Sequence, residues 1–196
     1  MEKTLPADLQ RLEDALDASD RDARAVVAGL TELHGAWRAH EGAWSVAECL
    51  DHLGTANRVY LGAMQPSAAR AQRDGRRRRR PALPGLVGGW FVAFMEPPVK
   101  TGFKTKAPRT IRPRTAPALN DAVTTFLASQ DEVRAFLRTY ADIDLAGVHF
   151  PNPFIRGVRF SLATGLHVIA AHERRHLWQA WRVRRAAEQA TTDPTR

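Results

Sequence analysis

The ten residues WSVAECLDHL, Trp44 to Leu53, decide how the rest of the chain is read. Ser45 and Glu48 stand three apart just ahead of an apolar run. In that spacing, the capping box, the serine hydroxyl and the glutamate carboxylate satisfy each other's orphan amides. A helix therefore starts at Ser45. Val46, Cys49, Leu50, Leu53, Tyr60 and Met64 continue it at a helical period, and Pro66 predicts its end near Met64. His52 lies at the edge of this buried stripe, where an inward imidazole needs a chemical reason.

The same periodicity recurs on both sides. Leu9, Leu12, Leu16, Ala23, Val26, Val27, Leu30 and Leu33 predict a first long helix over residues 7 to 33, broken by the segment from Gly35 to Gly42. Leu119, Val123, Phe126, Leu127, Val133, Phe136 and Leu137 predict a third, from Ala118 to Tyr140. After a loop with Pro151, Pro153 and Gly157, Ser161 is placed to cap a fourth, which runs to about Ala187 and turns Leu162, Leu166, Ile169, Ala170, Leu177, Ala180 and Val183 inward. Four long helices with little strand alternation predict an all-α four-helix bundle. Its long crossover spans Pro66 to about Pro117, between the second and third helices. Trp90, Phe91, Phe94 and Met95 within that connection are too apolar for water, so a short helix across the bundle is expected there.

With 196 residues the chain buries roughly 70% of its unfolded surface as one domain, so residues 1–196 are read as a single unit. No apolar run approaches the roughly 18 residues of a membrane span, and the acidic, helix-forming start does not resemble a signal peptide; a cytoplasmic protein is expected. The lone Cys49, in an apolar stripe, reads as a core thiol. The net charge of +8 is local: residues 69 to 114 carry +11 and the remainder −3. Arg76 to Arg80 form one uninterrupted run rather than cations spread over a face, and are read as a solvated loop. The alternative is a non-catalytic binding module in which this Arg-rich connection recognises an anionic partner, nucleic acid or an anionic membrane.

HERRH, His172 to His176, has the His-Glu-x-x-His spacing of zinc proteases. Residues four apart on a helix differ by about 40° in direction, so His172 and His176 can share one ion. The protease reading fails further along, because LWQAWRVRR supplies neither the glycine nor the third histidine of the longer motif. A third ligand must come from upstream, from among His34, His40, His52, His149 and His167. His167 points to another side of the same helix, and His34, His40 and His149 lie in or beside loops, which leaves His52. One histidine facing a His-x3-His pair gives three nitrogens and an open position, the pattern of catalytic rather than structural zinc. Glu48, Glu173 and Gln179 lie near these ligands in sequence and are candidates to orient a ligand or move a proton. Trp178 and Trp181 are expected to pack in the bundle or at a dimer face.

WSVAECLDHL and HERRHLWQ, His172 to Gln179, together resemble the two signature segments of the DinB/YfiT-like superfamily, and PPVKTGFKTKAPRTIRP resembles its crossover. The resemblance covers about Leu9 to Val183. It implies an up-down-down-up bundle, often a homodimer, with a divalent metal, zinc or nickel, on the residues matching His52, His172 and His176. It also implies a metal-dependent hydrolase, or a transferase or isomerase that activates a low-molecular-weight thiol such as mycothiol or bacillithiol for a small-molecule substrate. The Arg76 to Arg80 run matches no part of that pattern.

Overall fold

In a computed structural model that describes residues 4–98 and 107–192, the chain forms helices α1 (Ala7–Val27), α2 (Glu32–Gly35), α3 (Val46–Arg73), α4 (Leu86–Met95), α5 (Leu119–Thr139) and α6 (Leu162–Thr192). A hairpin of β1 (His149–Pro151) and β2 (Arg159–Ser161) precedes α6. Part of the expected crossover, residues 99–106, and the chain ends lie outside the described residues.

Side-chain contacts fix the direction of each long helix. Gly54 meets Thr125, Asn57 meets Ser129 and Gln65 meets Tyr140, so α3 and α5 run parallel. Asp22 bonds to Trp181, and Arg184 reaches the Ala25 and Val26 carbonyls, so α1 and α6 also run parallel. Arg138 pairs with Glu13, and Arg134 with Asp17 and Asp20, which makes α1 and α5 antiparallel. His52 beside His172 and Met64 beside Gly165 do the same for α3 and α6. The connectivity is up-down-down-up, as the resemblance implies. Two apolar clusters fill the bundle, one around Leu137, Phe150, Leu162 and Leu166, the other around Leu50, Leu53, Phe126 and Leu177. Each such side chain contributes roughly 1.5–3 kcal/mol by leaving water.

The capping box forms as predicted: Ser45 Oγ accepts from the Glu48 amide at 3.2 Å, and Glu48 Oε2 accepts from the Ser45 amide at 2.9 Å. Ser161 likewise accepts from the Thr164 amide at 3.1 Å at the start of α6. The N-terminus of α5 has no local side-chain cap. Glu32, on α2, supplies one from across the fold, accepting from the Leu119 and Asn120 amides, where its charge also suits the helix dipole.

Four expectations are corrected. The first helix stops at Val27 rather than running to residue 33, because Gly29 turns left-handed at φ 74° and the chain re-forms as the separate turn α2, leaving Leu33 exposed. The second helix passes through Pro66 and reaches Arg73. A proline there removes one backbone bond, to the Gly62 carbonyl, while the Gln65 to Tyr140 bond holds the helix just before it and buried Ala68 and Ala71 hold the turns beyond it. The expected loop around Pro151 and Pro153 is a two-stranded hairpin.

The fourth correction concerns the arginines: Arg76, Arg77, Arg79 and Arg80 are exposed, as a solvated loop requires, but the run is anchored to the fold. Arg77 bridges to Ile143, the Arg78 amide donates to the Asp142 carbonyl, and Arg78 pairs with buried Asp8 at 2.5 Å. Burial alone would raise the Asp8 pKa; the bonds from Arg78 and the Ala82 amide outweigh it and hold the carboxyl below its ordinary value. The expected short helix does form, as α4. Gly88 is what lets it approach α6, since a Cβ there would overlap the Thr164 side chain.

Candidate metal centre

α3 and α6 cross where His52 faces His172 and His176. The Nε2 atoms of His52 and His172 stand 3.1 Å apart, and one nitrogen from each of the three imidazoles falls within a group spanning at most 4.8 Å. A tetrahedral ion with bonds of about 2.05 Å would separate neighbouring ligands by roughly 3.3 Å, so the observed spacing suits a shared cation. His52 is buried and His172 and His176 are half-buried.

Contacts outside the cluster set the protonation. His52 Nδ1 lies 2.5 Å from the Ile111 carbonyl oxygen, which can only accept, so Nδ1 carries the hydrogen and Nε2 presents a lone pair to the cluster. His176 Nδ1 donates to Gln179 Oε1 at 2.9 Å, with the same result. Burial first, and then the neighbouring imidazoles and Arg175, push His172 well below the ordinary histidine range. His176 is lowered in the same way, by burial and then by His52, against the opposing bond to Gln179. Burial also lowers His52, over the opposing effects of Ile111 and Asp51. His52 and His176 thus each leave Nε2 unprotonated, the third imidazole can supply either a hydrogen or a lone pair, and a set of three neutral imidazoles fits a borderline divalent ion.

The support for His52 comes from the crossover. Ile111 belongs to a 3-10 turn, Arg109–Ile111, and the chain just after it is clamped by buried Asp51, which accepts from the Arg114 amide at 2.7 Å and from Arg114 Nε at 2.8 Å. Trp44, just before the capping box, lays its indole 4.7 Å from the His52 ring and 5.5 Å from the His176 ring, forming an apolar wall. Sequence reasoning assigned no role to Asp51 or Ile111. Asp51 carried a usable signal, an acid adjacent to His52 inside a buried stripe; the Ile111 carbonyl carried none.

Of the three orienting candidates, Gln179 bonds to a cluster histidine. Glu48 is engaged by the capping box and by Arg38, with bonds of 2.9 and 2.6 Å. Glu173 lies in the bundle interior, where Asn57 Nδ2 donates to it at 2.9 Å and Gln130 Nε2 at 3.3 Å. The other histidines are occupied elsewhere: His34 with Thr31, His40 with the Glu41 carbonyl, His149 with the Gly147 carbonyl and His167 with the Ala82 carbonyl. Trp181 packs against the core and donates to Asp22, and Arg182 covers Trp178.

Fold and site together define an all-α bundle with a three-histidine cluster between its second and fourth long helices. A family model described as the DinB superfamily matches residues 15–180, and the chain belongs to that superfamily. Comparison with curated proteins and with solved structures gives no significant match.

Proposed function

We propose that the protein is a metal-dependent enzyme of the hydrolase or thiol S-transferase type, with zinc or nickel held by His52, His172 and His176. The observation that carries this reading is the meeting of three neutral imidazoles, from two facing helices, with no carboxylate among them. A divalent ion bound there supplies a Lewis acid that lowers the pKa of a water or thiol at its open position, making a nucleophile available near pH 7. The protein's own groups prepare that position. Ile111 and Gln179 hold the ring tautomers, and Asp51 holds the segment that carries Ile111. Trp44 offers an apolar wall to a small-molecule substrate, and the half-buried guanidinium of Arg175 adds positive charge beside the cluster, which suits an anionic substrate or thiol.

Protein reconstituted with zinc or nickel is expected to hold about one ion per chain. His172→Ala is expected to hold none while keeping a helical circular dichroism spectrum. Activity in panels of thiol-transfer and hydrolysis substrates should follow the metal and vanish in the variant. A fully loaded His172→Ala protein would sink the site, and a loaded wild type inert in both panels would sink the enzyme reading.

A further inference from the structure

The segment α4, LVGGWFVAFM, contains no charged residue and is apolar on both faces. One face is used within the fold: Phe91, Val92 and Met95 pack on the core beside α6, Gly88 fits against Thr164, and Glu96, at the helix end, pairs with Arg174. The other face is exposed. Leu86 is 97% exposed, Val87 77%, Trp90 68% and Phe94 50%, and Leu83 just before the helix is 50% exposed. Positions 86, 87, 90 and 94 share one side of a helix, and the Trp90 and Phe94 rings stack there at 5.9 Å.

A run of cations precedes this helix in the chain. Arg76, Arg77, Arg79 and Arg80 are exposed, and Arg80 is three residues from Leu83, within about 10 Å along even a fully extended chain. Because Arg77 and Arg78 are tied to Ile143, Asp142 and Asp8, and Arg80 pairs with Asp144 at 3.7 Å, the run is held in a fixed place on the fold a few residues ahead of the helix. We propose that α4 and the arginine run together form a docking surface for an anionic lipid membrane. Leu86, Val87, Trp90 and Phe94 would enter the interface, and the arginines would lie on headgroup phosphates.

Charge and apolarity together select this partner. Duplex nucleic acid would satisfy the arginines but leave four large apolar side chains in water. A second copy docked across α4 would cover the apolar face but leave the exposed arginines without an anionic partner. An anionic bilayer satisfies both, and an exposed tryptophan suits the interfacial layer. At ten residues α4 is too short to cross a bilayer, and among the described residues no helix is long and apolar enough to do so, so the association is peripheral.

The test is co-sedimentation of the full chain with vesicles of phosphatidylcholine containing about 30% phosphatidylglycerol, beside pure phosphatidylcholine, at about 100 mM salt. The protein should pellet with the anionic vesicles and not with the neutral ones. Leu86→Asp/Trp90→Asp, at exposed positions, should weaken recovery by roughly tenfold or more with an unchanged helical spectrum. His172→Ala should pellet like the wild type, so docking stands or falls apart from the metal reading. No recovery on anionic vesicles, or recovery indifferent to the double variant, overturns the proposal. So does a dimer that the double variant converts to monomer without any vesicle binding, which assigns the face to a second copy, or retention on duplex DNA in place of vesicles.

Discussion

Glu173 stands next to a cluster histidine in sequence and away from the cluster in space. Burial pushes its carboxyl up to about 7, against the lowering effect of bonds from Asn57 and Gln130. Folding therefore favours its protonated form, a contribution fully present below the unfolded value near 4.5 and lost as pH rises through about 7. Glu173→Gln cannot ionise, and the unpartnered Asn57 Oδ1 and Gln130 Oε1 offer acceptors for its new N–H once an amide rotates. The variant's melting temperature relative to the wild type should rise between about pH 5 and pH 8, by a free energy on the order of 3 kcal/mol. A pH-independent difference would contradict the assignment. The contrast with His172 shows what a sequence makes legible at this scale. His172 and His176 share a direction because of helical geometry alone, and the stripe around His52 points inward by its own pattern. Glu173 sits about 100° from His172 around the helix, and only the packing of α1, α3 and α5 makes that direction interior.

At the scale of elements, the crossover positions the site although little of it is helical. Asp51→Asn removes the charge that clamps Arg114 and so loosens the segment that presents the Ile111 carbonyl to His52. Zinc affinity, measured by competition with a chromophoric chelator, should fall roughly 10–100-fold while the helical spectrum persists. Unchanged affinity would make the clamp purely structural. Pro66 gives a second prediction. Since α3 continues through it, Pro66→Ala should restore one backbone bond and stabilise the protein to denaturant by about 1–3 kcal/mol; destabilisation would mean that the proline ring itself packs in a needed way. The starts of α3 and α6 were legible because their caps are local, and that of α5 from its apolar period alone, its cap coming from Glu32 far away in the chain. The ends of α1 and α3 were not. Leu30 and Leu33 kept the apolar period past Gly29, and Pro66 carried a stop signal that tertiary packing overrode. The docking of the arginine run was equally hidden, because its partners Asp8 and Asp142 lie about 70 residues away on either side.

Across the whole molecule, the up-down-down-up order packs α3 antiparallel against α6, and their contact brings residue 52 to residues 172 and 176. The bundle was readable from four periodic segments and one long connection, whereas the parallel pairing of α3 with α5 entered with the family resemblance and is now visible in contacts such as Asn57 with Ser129. The central claim is that this crossing holds a metal ion, and its most direct test is the metal content of tag-free protein by elemental mass spectrometry, beside His52→Ala. The account predicts about one zinc or nickel per chain in the wild type and loss of it in the variant, because among the described residues His52 alone faces the His172 and His176 pair from the opposing helix. Protein that stays metal-free after incubation with both ions, or a His52→Ala variant that loads as fully as the wild type, would contradict it.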